Sequence, residues 1–142
     1  MLFPSRPWVE AVVEAANRQP ALAQALAGLG ADLAAVVEPE PPHLPRAFAV
    51  YGRQERGRIA VVRVLADEDE LWELAPAYVV RASYRVWKAL LRGEDPVRAA
   101  LSGRVRVEGD LQALVRRAGY RPLVDAALAS VATEFVDEGR TP

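Results

Sequence analysis

The stretch Trp87 to Asp110, WKALLRGEDPVRAALSGRVRVEGD, decides how the rest of the chain is read. Asp95-Pro96 in its middle is a helix start: a carboxylate that can cap, then a proline whose fixed φ suits a first helical position. Gly93 before it and Gly103 after it are stop signals. They set one predicted helix over Tyr84 to Arg92, capped by Ser83 and striped by Val86, Trp87, Leu90 and Leu91, and a second over Pro96 to Leu101. Arg104 to Glu108 then alternates charge and valine, so that strand turns one side to water and buries Val105 and Val107 on the other. Gly109-Asp110 turns the chain, and Asp110 caps a predicted helix over Leu111 to Ala118 that Gly119 ends.

Working back toward the N-terminus, Ser5 and Pro7 open a helix to Arg18 whose stripe is Trp8, Val12, Ala15 and Ala16. Pro20 separates it from a short alanine-rich helix over Ala21 to Ala27. Ala31 to Val37 reads as a strand, and the prolines between Pro39 and Pro45 make a loop that also holds His43. Ala47 to Gly52 and Arg58 to Leu65 are two strands around a polar turn, Arg53 to Gly57. An acidic turn, Asp67 to Glu70, leads into a short helical segment with Leu71, Trp72 and Leu74, and Ala77 to Ala82 is a fourth strand. At the far end Pro122 begins a helix expected to run to about Glu138. The fold class is α+β: five strands in a mainly antiparallel sheet, with helices stacked mainly on the side away from the charged face of the fifth strand. The long excursion before that fifth strand allows it to return parallel to a neighbour. No repeat or linker divides residues 1–142, so they form a single domain.

Composition narrows the chemistry. The chain has no cysteine and one histidine, so thiolate sites, disulfides and histidine-based triads or metal clusters find no material. No Gly-x-Ser-x-Gly, phosphate-loop or dinucleotide pattern occurs, and Asp67 to Glu70 lacks the spacing of a calcium loop. No catalytic residue, cofactor or metal is therefore expected. No apolar run reaches the ~20 residues that span a bilayer, and no basic-then-apolar leader opens the chain, so a cytoplasmic protein is expected. Seventeen arginines against one lysine, with abundant alanine, suit a bacterial source of high GC content.

Two features bear on a ligand. The segment from Pro122 carries Leu123, Val124, Ala126, Ala127, Leu128, Ala129, Val131, Ala132, Phe135 and Val136, more apolar surface than one core stripe needs. Burial in the core, packing on a second subunit and lining of an apolar cavity all account for it. Residues 81 to 121 hold ten basic and four acidic side chains, although the whole chain is at −1. This reads as a solvated face, or as arginines set near a pocket mouth for a carboxylate or phosphate. Nucleic acid is not favoured, because aromatic platforms and known motifs are lacking.

The run Trp87 to Pro96, followed by Ala99 to Asp110, resembles the sterol carrier protein 2 family: an aromatic residue before a Leu-rich Gly-Glu turn, a short helix, a small-residue–Gly step, a basic alternating strand and Gly-Asp before a helix. Pro4-Ser5 with Trp8 through Asn17, and Leu33 to Glu38, look like bacterial single-domain members. The resemblance implies five strands and helices enclosing a hydrophobic tunnel that holds fatty acids, acyl-CoA or sterol-like lipids without chemistry. Its motif residues are structural. On that reading Phe48, Val50, Val62, Val64, Tyr78, Val80, Val105 and Val107 form the sheet wall of the tunnel. Trp87, Leu90, Leu101, Leu114, Leu128, Val131 and Phe135 form the helix wall, and Arg85, Arg92, Arg116 and Arg121 are head-group candidates. The expected partner is a lipid or fatty acyl ligand, with at most transient membrane contact and no nucleic acid. The alternatives are an accessory module, which uses the last helix to form a homodimer or to dock on a lipid-processing enzyme, and a small hydrolase or transferase.

Overall fold

A computed structural model describes residues 1–22, 24, 32–56, 58–110 and 121–138. The helix starts predicted at Ser5, Ser83 and Asp95 hold. In α1 (Arg6–Asn17) the Ser5 hydroxyl accepts from the Trp8 amide, and Val9, Ala15 and Ala16 are the buried stripe. Strand β2 (Leu33–Glu38) precedes the hairpin of β3 (Phe48–Glu55) and β4 (Arg58–Leu65); β4 has the expected bounds, and β3 runs further into the turn than expected. The acidic turn leads into α2 (Glu70–Leu74), and β5 (Tyr78–Ser83) passes directly into α3 (Tyr84–Leu91). Ser83 caps α3 at the Val86 amide, and Asp95 caps α4 (Pro96–Leu101) at the Val97 amide. β6 (Val105–Glu108) is the alternating strand, with Val105 buried and Arg106 and Glu108 exposed. The predicted helix over Leu111 to Ala118 lies outside the described residues, as does most of that over Ala21 to Ala27.

The five-stranded sheet has the order β4-β3-β2-β5-β6. Every neighbouring pair is antiparallel except β2 and β5, which run parallel. The parallel return is therefore made by the fourth strand of the sheet sequence, not by the fifth. The pairing between β3 and β4 shifts between Arg53 and Gln54, which places Ile59 opposite Gln54. That extra residue reverses the side-chain phase of β4, so Ile59 joins the face that carries Val62.

The C-terminal segment departs from expectation. α5 covers only Arg121–Ala129, not a helix to Glu138. Beyond it, β7 (Glu134–Phe135) lies parallel to β1 (Leu2–Phe3), a pair no local pattern announces, and a single 3-10 turn spans Val136–Glu138. The break has local causes. The Ser130 hydroxyl donates back to the Ala127 carbonyl, an alternative to helical propagation. Val131, Thr133 and Val136 are β-branched and favour extended backbone. The Glu134 amide then donates to the Met1 carbonyl at 2.8 Å. The outer side of α5 is exposed at Pro122, Asp125, Ala126 and Ala129, so the helix is not enclosed on all sides.

Candidate functional site

Strand register fixes what shares a face. Val37 stands opposite Phe48, Ala35 opposite Val50, and Leu33 opposite Gly52. Val64 pairs with Val50, and Val62 with Gly52. On the other side, Leu33, Ala35 and Val37 meet Tyr78, Val80 and Ala82, and of these Val80 and Ala82 in turn meet Val107 and Val105. All eight residues predicted for the sheet wall therefore lie on one face. The second face carries Ala34, Val36, Ala49, Tyr51, Leu65 and Val79, all buried, with Leu71 and Leu74 of α2 packed on them. Asp32 ties that side together by accepting from the Tyr51 hydroxyl and the Ala77 amide, both at 2.7 Å. This bond, then burial, raises the Tyr51 pKa.

The two faces differ in how they are covered. The centre of the second face, under a five-residue helix, is buried, while Arg63, Arg106 and Glu108 at its flanks are exposed. The first has α3 and α4 packed on it through Val86, Trp87, Leu90, Ala99 and Ala100. α1 closes its β4 side, where Ile59 packs on Ala15 and Ala16, and α5 packs on α1 through Ala127 and Val124. Even so, Ala35, Val50, Val62, Val64, Val80 and Val107 are only half-buried.

The predicted helix wall divides. Trp87 and Leu90 pack on the cluster of Ala82, Ala99 and Val105, which Val80 and Val107 of the wall also join. The Trp87 indole donates to the Val36 carbonyl at 2.9 Å, which fixes α3 across the sheet. Leu128 is half-buried on α5, and Val131, beyond the helix, packs with Ala15, Ala16 and Leu22. Leu101 points outward and is 75% exposed, so α4 does not bring it to the wall. Phe135 sits in β7, not on a helix, and is buried with Phe3 and Tyr84. Leu114 and Arg116 lie outside the described residues, and Arg121 is the first residue of α5.

One end of the wall is plugged. The Phe3 ring meets Trp8 edge-on at 4.8 Å and Phe135 at 6.1 Å, and stacks on Tyr84 at 6.0 Å. This cluster packs on Val37 and Phe48. A polar latch closes over it. The Tyr84 hydroxyl donates to Asp137 Oδ1 at 2.6 Å, and Lys88 Nζ donates to both Asp137 oxygens at 3.0 and 2.9 Å. Lys88 also pairs with Glu138, which Arg92 reaches at 2.6 Å. Burial, then the Asp137 bond, pushes the Tyr84 phenol above its ordinary pKa. The Tyr84 bond, with Lys88 in support, holds Asp137 below the usual carboxylate range.

The head-group arginines on α3 are engaged elsewhere. Arg85 pairs with Glu40 at 2.7 Å, and Arg92 lies 4.7 Å over the Phe135 ring as well as on Glu138. Arg81, Arg104 and Arg106 likewise pair with Glu68, Glu94 and Glu38. Much of the basic excess read from residues 81 to 121 is thus neutralised, mostly by acids from other segments. Sequence reasoning missed Phe3, Tyr84 and Asp137, whose partners lie far away along the chain. Tyr84 carried one signal, a large aromatic residue directly after a cap. Among the described residues no group of three His, Asp or Glu side chains gathers as a metal site, and no helix is long and apolar enough to cross a membrane.

Solved structures share this architecture. A crystal structure of sterol carrier protein 2 superposes with a TM-score of 0.74 at 23% identity, covering 90% of this chain and 98% of that one. A conserved hypothetical protein from Thermus thermophilus, described as possibly a sterol carrier protein, gives 0.72 at 20% identity, covering 92% and 90%. A ubiquinone synthesis protein, UbiJ-SCP2, gives 0.54 at 22% identity over 87% and 99%. At these identities the likeness is one of fold. A search of curated proteins returns no significant match. The sequence model of the SCP-2 sterol transfer family, however, matches residues 12–118, which takes in the second half of α1, the whole five-stranded sheet and both helices of the decisive stretch. The chain belongs to the SCP-2 sterol transfer family.

Proposed function

We propose that the protein is a non-catalytic intracellular lipid carrier that holds an acyl chain, a fatty acyl-CoA or a sterol-like lipid against the valine face of its sheet. One observation carries this reading. Val50, Val64 and Val80, at the centre of the face with α1, α3 and α4 around it, are less buried than Ala49, Val36 and Val79 at the centre of the other. Helices that packed down on Val50, Val64 and Val80 would bury them, as α2 buries Val36 and Val79. Helices held off the sheet leave room for an apolar guest. The plug of Phe3, Trp8, Tyr84 and Phe135 gives that room a closed end.

The energetics are adequate. Each methylene withdrawn from water contributes about 0.8 kcal/mol, so ten contribute about 8 kcal/mol before association costs. That corresponds to affinities no tighter than about micromolar.

The test is native mass spectrometry of protein purified from cells, followed by titration with a fluorescent fatty acid. A co-purifying lipid and saturable binding are expected. Absence of both refutes the carrier reading. Val64→Trp adds a direct check on the space. Where the face borders a cavity, the indole occupies it, the fold keeps its stability and binding is lost. Where the face is packed solid, the same change costs about 1–3 kcal/mol through overpacking.

A further inference from the structure

A cleft of about 470 Å³ lies between α1 and β4, lined by Glu10, Val13, Glu14, Asn17, Arg18, Arg58 and Val62. Its floor is set by one side chain. The Asn17 amide donates to the Ile59 carbonyl at 3.2 Å, and its oxygen accepts from the Ile59 amide at 2.9 Å. This two-way clamp holds the last turn of α1 at a fixed separation from β4. Above it, Val13 and Val62 supply the apolar lining. Val62 also belongs to the valine face, where it pairs with Gly52 across from Leu33 and stands two residues from Val64. The cleft and the valine face therefore share a wall residue, at the side of the sheet away from α3 and its aromatic plug.

The rim of the cleft is charged but balanced. Glu14 and Arg18 pair with one another one helical turn apart, and Glu10 and Arg58 complete two acids against two bases. The α3 arginines, by contrast, stand beside the plug and are held by Glu40 and Glu138. Resting on the carrier reading above, we infer that the lipid enters by this cleft, and that its balanced rim selects a head group without net charge over a polyanionic one such as coenzyme A. Arg18 and Arg58 offer donors to a hydroxyl or phosphate oxygen, and Glu10 and Glu14 offer acceptors to a hydroxyl or an ammonium group. A coenzyme A head would bring several negative charges against both glutamates and gain only two arginines.

The experiment is competition against a bound fluorescent fatty acid, using hexadecanol, lysophosphatidylcholine with a sixteen-carbon chain and palmitoyl-CoA. The wild type is expected to prefer the first two over palmitoyl-CoA. The double variant Glu10→Arg/Glu14→Arg, on solvent-facing helical positions, converts the rim to four bases. It should improve palmitoyl-CoA relative to hexadecanol by about tenfold at low salt, with the gain shrinking as salt is added. Val13→Trp should slow loading of all three, with melting unchanged. A wild type that prefers palmitoyl-CoA, or a preference ratio that charge reversal leaves unmoved, overturns the cleft assignment. If those results accompany lipid binding that Val64→Trp abolishes, the carrier reading survives and only the entry site is wrong. If no probe binds wild type at all, both fall.

Discussion

Tyr84→Phe isolates the latch over the plugged end. The residue is 0% exposed, so the phenyl ring keeps its packing against Phe3 and only the hydroxyl is removed. That hydroxyl makes a 2.6 Å bond to a carboxylate, and hydrogen bonds to charged groups contribute about 1.5–3 kcal/mol. Asp137 is not stranded by the change, because Lys88 still holds both its oxygens. The lower half of the range therefore applies, about 1.5–2 kcal/mol, which for a chain of this length lowers the melting temperature by about 4–8 °C.

The pH dependence gives the reasoning a second handle. Asp137 titrates below its unfolded value, so its stabilising contribution is full above the ordinary carboxylate pKa and fades as pH falls through the lower folded value. Tyr84→Phe removes the leading cause of that depression. The gap between wild type and variant should be full at pH 7 and narrow below about pH 4, as Asp137 gains a proton. Tyr84 itself is raised, so wild type loses stability above about pH 10, where the unfolded phenol ionises and the buried one resists; the variant lacks this loss. Thermal melts followed by circular dichroism from pH 3 to pH 11 read both limbs. A gap of the same size at pH 3 and pH 7, or no gap at pH 7, refutes the account of the latch.

Other sites give simpler outcomes. Gly109 has φ +117, and a Cβ there would stand 2.5 Å from the Ala77 carbonyl oxygen and 2.7 Å from the Tyr78 ring, so Gly109→Ala should cost more than about 2 kcal/mol in urea unfolding. Asn17→Ala breaks both halves of the clamp on Ile59 and should cost about 1–3 kcal/mol in the same assay, with faster amide exchange at Ile59. Ser83→Ala removes the cap on the Val86 amide and should cost about 1 kcal/mol, and Asp95→Ala at the Val97 amide about the same; a melting temperature unchanged in either variant refutes the capping role.

The sequence was legible wherever structure is decided within about ten residues. Caps at Ser5, Ser83 and Asp95, prolines at helix starts and the alternation of Val105 and Val107 all act locally, and the elements they announce are present. The period-2 pattern even brought eight scattered residues to one face, because register follows burial. What failed was the segment beyond Ala129. Its apolar content is real, but a helical wheel cannot tell a helix from a helix followed by a short strand. Here the deciding partner, Leu2-Phe3, lies more than a hundred residues away. Sequence distance likewise hid Asp137 from Tyr84, and Glu40 and Glu138 from the α3 arginines.

That failure moves the ligand argument to a different part of the molecule. On the sequence, it rested on a long last helix too apolar for one core face. α5 is short and its outer side is exposed, so this reason is gone. Phe135, moved from the helix wall into the aromatic plug, packs with Phe3, Val37 and Tyr84 at one end of the sheet wall. The weight passes to the sheet. Val36 and Val79 are buried at the centre of one side, where Leu71 and Leu74 of the five-residue α2 pack. Val50, Val64 and Val80, opposite them, stay half-buried with α1, α3 and α4 around that face. The helices on that side are anchored at its margins: α3 by the Trp87 bond to Val36 and by the latch, α1 by the Asn17 clamp on Ile59. Anchors at the margins, with small and β-branched side chains at the centre, are the arrangement that the proposed carrier function requires. They also predict where the fold gives way if the guest is bulky: the α1 clamp, which is two hydrogen bonds from one side chain, should yield before the aromatic plug does.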